Sequence, residues 1–332
     1  MDKILILKLR TVQKNISVSP LIPSKTTIHK IWYLDQNVFS DLAKDIGDSE
    51  RAALSNHLEQ TNDSVAISYN HILELAQKLT GTNSGNKFTF LPIQIEKCYG
   101  QLPTIKMKSP WEIYKKEWIS YFLSTIYGTL KEKIIPYGLW DWMPNGKNAS
   151  LTEAVSYILN KERGAKSEEK FLYLREKVLE HTRKVKVRVQ KGEERNVQNF
   201  EEIFDIEKQT TLTEIAKYPE FWPRGPLLLS STSVNLIKRK FIKNFNFSEC
   251  PLINLNTGLW AYKRLKVLNQ RMDQGDYMDF WHASVGCQYS DVFITRDRRL
   301  REILDAIRAY IPFRARIFES INNALLNLKS TF

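Results

Sequence analysis

The chain has 332 residues, 42% of them hydrophobic and 26% charged, a composition that excludes a disordered polymer and supplies apolar side chain for one large α/β domain or two ordinary ones. Its 49 Lys and Arg against 37 Asp and Glu leave a formal charge of +12, which favours polyanionic partners through attraction and counterion release. Cys98, Cys250 and Cys287 are scattered and form no C-x-x-C pair, which speaks against a zinc site or a disulfide framework and fits a reducing cytoplasm.

The first apolar run, Ile4 to Leu7, is cut off by Lys8, too early for a signal-peptide core or a membrane span, and reads as a strand. No later stretch offers the roughly 18 consecutive apolar residues of a membrane helix, so a soluble cytoplasmic protein without membrane function is expected. Ile31 to Leu34 reads as a strand that stops at Asp35, and Val38, Leu42 and Ala43 place a helix over Asn37 to Lys44. Ser49 precedes a second helical pattern through Leu54 and Leu58; Val65 to Ile67 reads as another buried strand, and a helix from Tyr69 to Leu79 carries Glu74.

From Gly81 to Arg271 the pattern becomes mainly helical, with long amphipathic stretches over Trp111 to Leu130, Leu151 to Arg163 and Glu168 to Arg183, broken by Pro and Gly clusters. Val185, Val187 and Val189 alternate inside a basic run, which fits an exposed strand or an extended arm. The end of the chain returns to an αβ rhythm: a helix from Tyr277 to Tyr289, a strand over Val292 to Thr295, a helix from Leu300 to Ala309, a strand at Ala315 to Phe318 and a last helix. Strands alternating with helices imply a doubly wound parallel sheet, whose ligands bind beyond the carboxyl ends of the strands, where Asp35 and Asp297 stand.

Four acids therefore sit where such a fold exposes them, each with apolar neighbours: Asp35, Glu74, Asp279 and Asp297. A carboxylate beside a buried strand end is costly to desolvate unless it is paired or binds a cation. Hard oxygen ligands suit Mg²⁺ or Mn²⁺, which activate water and stabilise charge on a phosphate undergoing in-line displacement.

These segments resemble the PIN domain and its larger PIN-like relatives. The likeness rests on an apolar strand ending in Asp-x-Asn (Asp35-Gln36-Asn37), a strand-Ser turn whose next helix carries a glutamate (Ser68, Glu74), a helix with Asp four residues before a small Ala (Asp279, Ala283), and a strand ending in Thr-x-Asp (Thr295, Asp297). The resemblance covers residues 30 to 80 and 275 to 330. It implies a metal-dependent endoribonuclease in which those four acids hold Mg²⁺ or Mn²⁺ and the product carries a 5′-phosphate and a 3′-hydroxyl. Asp276 competes as third acid, although its place after Gly275 also suits a helix N-cap.

The expected organisation is a discontinuous PIN-like core of residues 1–80 and 272–332 around a helical insertion, 81–271, that meets substrate or partner. Asn37, Ser68 and Thr295 would support the acids. Arg296, Arg298, Arg299 and Arg301 beside Asp297, and Arg183, Lys184, Lys186 and Arg188 in the insertion, are candidate phosphate contacts, each weighed against a solvated charged face. So is the run from Lys238 to Lys243. Trp140, Trp142, Phe221 and Trp222 lie in loops where they either stack on bases or fill the core. RNA is favoured over DNA, with an inhibitory protein partner and a toxin or anti-phage role as further expectations. Two rivals stand beside this reading: a degenerate PIN-like module that binds without cutting, and a metal-free ribonuclease resembling HEPN proteins through the spacings Arg51 to His57 and Arg175 to His181.

Overall fold

The computed structural model describes residues 29–43, 48–80, 90–160, 180, 183–184, 187, 199–223, 231–266 and 275–329. The strand expected at Ile4 to Leu7, the second Arg-to-His spacing, and Lys186 and Arg188 lie outside them. Five short strands form one all-parallel sheet: β1 (Ile31–Leu34), β2 (Ser64–Ile67), β3 (Thr104–Lys106), β4 (Val292–Ile294) and β5 (Arg316–Phe318), in the spatial order β3-β2-β1-β4-β5. Register is set by Tyr33 opposite both Ala66 and Phe293, with Leu34 opposite Ile294 and Ile67 opposite Lys106.

Parallel strands buried on both faces read as nearly continuous apolar runs, and their alternate side chains divide between two cores. Trp32, Leu34, Val65, Ile67, Val292 and Ile294 point to one face. There they meet α1 (Gln36–Asp41), α2 (Asp48–Thr61), α3 (Tyr69–Thr80), α4 (Phe90–Tyr99), α6 (Leu151–Asn160) and α12 (Ile321–Lys329). Tyr33, Ala66 and Phe293 point to the other, covered by α5 (Pro110–Tyr127), α7 (Phe200–Ile215), α9 (Pro251–Leu265), α10 (Gly275–Tyr289) and α11 (Arg298–Arg308). One further described helix, α8 (Ser231–Lys243), packs beside α5 through Phe241. Helices on both faces of a parallel sheet give the expected α/β class.

Residues 81–271 do more than insert a helical body. They supply the edge strand β3, and α5, α7 and α9 bury Trp111, Phe204 and Leu259 in the same core as Tyr33 and Phe293. Three residues are too few to show a period, so β3 left no trace in the pattern. Within the expected Val185 to Val189 strand or arm only Val187 is described, and it is helical, as are Arg183 and Lys184 just before it.

Two local features shape the carboxyl end of the sheet. The chain runs outward from β1 through β2 to β3, then returns to lay β4 on the opposite side of β1, so the strand order reverses between β1 and β4. In open parallel sheets the helices diverge at such a reversal, and ligands bind in the crevice beyond the carboxyl ends. Gly286 of α10 lets that helix close on the sheet: a Cβ there would stand 2.6 Å from Phe293 Cδ2 and 2.9 Å from Tyr33 Cδ1. Among the described residues, no helix is long and apolar enough to cross a membrane.

Candidate active site

Asp35 follows the last residue of β1 and still donates its backbone N–H to Ile294 O at 2.8 Å, so it is held at the reversal point by the sheet itself. Its side chain is 2% exposed. One carboxylate oxygen accepts from Gln36 N at 2.7 Å and the other from the Thr295 hydroxyl at 2.7 Å. Burial raises the Asp35 pKa and Glu74 raises it further, against the opposing pull of His282, Thr295 and Gln36. Asp297 lies two residues past Thr295, where it caps α11 by accepting from Arg299 N at 2.8 Å and Leu300 N at 3.1 Å. Its own N–H donates to Thr295 Oγ1 at 3.1 Å, so that hydroxyl joins both acids.

The other two acids arrive on helices from opposite sides of the sheet, Glu74 on α3 and Asp279 on α10. Asp279 senses all of the others. Burial first, then the charges of Asp35, Glu74 and Asp297, push its carboxyl up to about 7 against the counter-effect of His282. Asp276 falls in the first turn of α10, which begins at Gly275, so it is not the residue preceding the helix; its side chain lies outside the described residues.

The acids also have a buried partner that lies in none of the sequence motifs. His282 Nε2 stands 2.9 Å from Glu74 Oε1, and its Nδ1 stands 2.8 Å from the Tyr33 hydroxyl. Burial works against the imidazolium, but the hydrogen bond and charge of Glu74, with Asp35 and Asp279 behind it, outweigh this and raise its pKa. Tyr33 continues to Ser68 Oγ at 2.7 Å, and Ser68 to His71 Nδ1 at 3.0 Å. The same nitrogen accepts the Ser68 backbone N–H at 3.0 Å, so the His71 proton is on Nε2, which donates to Leu34 O at 2.6 Å. Burial and the neighbouring His282 hold the His71 pKa well below the ordinary value. The available clue was spacing: His282 follows Asp279 by three residues and His71 precedes Glu74 by three, each pair on one helix face.

Several expected supports have other partners. Asn37 is exposed, and Asp35 is held instead by Gln36 N and Thr295. Arg296 is paired with Asp41 at 2.6 Å and Glu50 at 2.7 Å, and Arg301 donates to Thr295 O at 2.7 Å while facing Glu319 at 3.3 Å. Arg298 pairs with Glu302 along α11 at 2.8 Å, and Arg299 is exposed. Arg183 and Lys184 are exposed, Lys184 beside Glu180 at 3.0 Å. Lys238 lies 4.5 Å from the Trp222 ring centroid. Exposed ion pairs of this kind contribute only about 0–1 kcal/mol each, so they orient these side chains without fixing them firmly.

The loop aromatics fill the core. Trp140, Phe221 and Trp222 are buried, with Trp140 Nε1 donating to Ile67 O at 3.0 Å and Trp222 Nε1 to Ala216 O at 3.1 Å. Trp142 is half-buried against the Tyr69 ring. In the described Arg-to-His spacing, Arg51 donates to Leu42 O at 2.9 Å, whereas His57 stands edge-on to Trp32 and 3.3 Å from Asp63. Their partners hold them apart from each other's chemistry.

Among the described residues, no three His, Cys, Asp or Glu side chains stand together closely enough to hold a metal ion. Three of the four acids are held by protein partners: Asp35 by Thr295 and Gln36, Asp297 by the α11 amides, and Glu74 by His282. The donor set nevertheless fits a hard divalent cation in kind, because its ligands are carboxylate oxygens and the repulsion felt at Asp279 is what such a charge would neutralise. Comparison with family models, curated proteins and solved structures finds no match to this chain.

Proposed function

We propose that this chain is a PIN-like, metal-dependent nuclease acting on RNA. The observation that carries the reading is Asp279, pushed up to about 7 by burial and by Asp35, Glu74 and Asp297 acting together. Four acids from four separate segments share one electrostatic field at the carboxyl end of a parallel sheet, where such folds bind ligands. Asp35 and Asp279, both raised by burial and neighbouring acids, are functional-site candidates on that ground.

In this reading Asp35, Asp279 and Asp297 would hold Mg²⁺ or Mn²⁺, and Glu74 would complete the set or orient the attacking water. The bound ion would supply Lewis-acid stabilisation of the phosphate and an activated water. Thr295 holds the Asp35 carboxylate toward the crevice, and the α11 cap keeps Asp297 fixed beside it. Preference for RNA follows from the PIN-like resemblance, and the charge of +12 supports a polyanionic substrate.

The decisive assay offers tRNA, mRNA, single-stranded DNA and duplex DNA to the purified chain with Mn²⁺, beside Asp35→Asn. Cleavage of RNA that needs both the ion and Asp35 supports the proposal; cleavage that survives EDTA, or that Asp35→Asn leaves unchanged, ends it. One observation favours the second reading, a module that binds RNA without cutting: as placed, Asp35, Glu74 and Asp297 are held by protein partners, and no metal cluster gathers among the described residues. RNA binding with no Mn²⁺ uptake would establish that alternative.

A further inference from the structure

We infer that His282 is a positioning residue: clamped between Tyr33 and Glu74, it sets where the Glu74 carboxylate stands relative to Asp35 and Asp279. The inference rests on the metallonuclease reading above and adds to it the part of the machinery that holds one acid in place.

The ring is fully buried and both nitrogens are engaged, Nδ1 on the Tyr33 hydroxyl at 2.8 Å and Nε2 on Glu74 at 2.9 Å. It therefore acts through Glu74 rather than on substrate. What it hangs from is rigid. Tyr33 is an interior residue of a strand paired on both sides, and its hydroxyl is braced by Ser68 at 2.7 Å. Ser68 is braced by His71, which is tied to Leu34 O at 2.6 Å.

Leu34 is the residue immediately before Asp35. The chain of bonds thus starts on the backbone that presents one acid and ends on the carboxylate of another. It also joins the three elements that must agree for the acids to meet: β1, α3 and α10. Gly286, one turn beyond His282, permits the close approach of α10 on which the Tyr33 contact depends.

The physical need is plain. Glu74 has a long side chain, and repulsion from Asp35 and Asp279 would drive it outward; a fixed donor holds it at low entropic cost. A buried histidine that merely fills the core would be indifferent to whether a hydrogen-bond donor replaces its Nε2. A positioning histidine would not. Partners of this outer kind typically contribute about 10–100-fold to metal affinity.

The test is Mn²⁺ alone, titrated into the full chain and its variants by calorimetry, with the spectrum of bound Mn²⁺ read by electron paramagnetic resonance and folding checked by thermal denaturation. His282→Leu is expected to weaken Mn²⁺ binding by about 10–100-fold and change the spectrum, while His282→Gln, whose amide can donate to Glu74, restores affinity to within a few-fold. Tyr33→Phe, which keeps the ring and removes the hydroxyl, shifts affinity in the same direction and decides the matter if His282→Leu does not fold. In a Glu74→Gln background the cost of His282→Leu should largely vanish, because the residue acts through Glu74. Equal effects of Leu and Gln, or an undiminished cost in that background, overturn the inference. A parent chain that takes up no Mn²⁺ overturns the metallonuclease reading itself.

Discussion

The hydroxyl of Thr295 stands 2.7 Å from Asp35 Oδ2, joining residues 260 positions apart in the chain, and the same oxygen accepts the N–H of Asp297 at 3.1 Å. One buried threonine on the strand end therefore locks together the two acids that flank the reversal of strand order. Removing it should be felt in both. Thr295→Val keeps the shape and deletes the donor, leaving a buried carboxylate oxygen unsatisfied, which costs about 1–3 kcal/mol. Thr295→Ser should retain most of the stability. Urea denaturation of the three proteins measures this, and equal midpoints for Val and Thr would show that the bond carries no weight.

Asp35→Asn and Asp297→Asn should each abolish RNA cleavage while leaving the fold and RNA binding largely intact. Asn is as good a helix cap as Asp, so α11 keeps its N-terminus in the second variant. Circular dichroism and gel-shift binding, run beside the cleavage assay, separate lost chemistry from lost structure.

Mn²⁺ uptake should be proton-linked through Asp279. Its carboxyl, pushed up to about 7, keeps a proton at lower pH and must give it up to bind a cation. Apparent affinity should rise as pH increases toward about 7 and then level. Calorimetry in buffers of different ionisation heat reads the released proton directly, and Asp279→Asn should remove that share of it.

Glu117 gives a pH dependence of stability that is independent of metal. It is buried in α5, where it accepts from Leu252 N and Ile253 N at 3.0 and 3.1 Å and from the Tyr289 hydroxyl. Burial dominates these bonds and raises its pKa from 4.5 to about 7. The folded state thus binds the proton more tightly than the unfolded state. Its stabilising contribution is fully present below about pH 4.5 and is lost as pH rises to about 7. Denaturation of the parent against Glu117→Gln across that window isolates the effect: the parent should lose stability relative to the variant as pH rises.

Sequence alone was enough for the strands that lead to Asp35 and Asp297. Ile31 to Leu34 and Val292 to Ile294 are apolar runs stopped by an acid or by Thr-x-Asp, and a run buried on both faces announces itself without knowledge of its neighbours. The helices carrying Glu74 and Asp279 were legible for the same reason, since a helical stripe is a local pattern. The three-residue β3 was not, because its place depends on pairing with β2 rather than on a period of its own.

The partners of the charged residues were decided by tertiary structure. Arg296 was open between a phosphate contact and a charged face until the fold brought Asp41 and Glu50 to it from the other end of the chain, and Trp140 was open between stacking and core filling until Ile67 O took its N–H. His71 and His282 lay on the right helix faces, but only the close packing of α3 and α10 against β1 joins them through Tyr33 and Ser68 into one line. Local pattern determines which groups face inward, because burial follows period. Which of those groups satisfy one another is settled only when distant segments meet, because a hydrogen bond depends on distance and angle rather than on order along the chain.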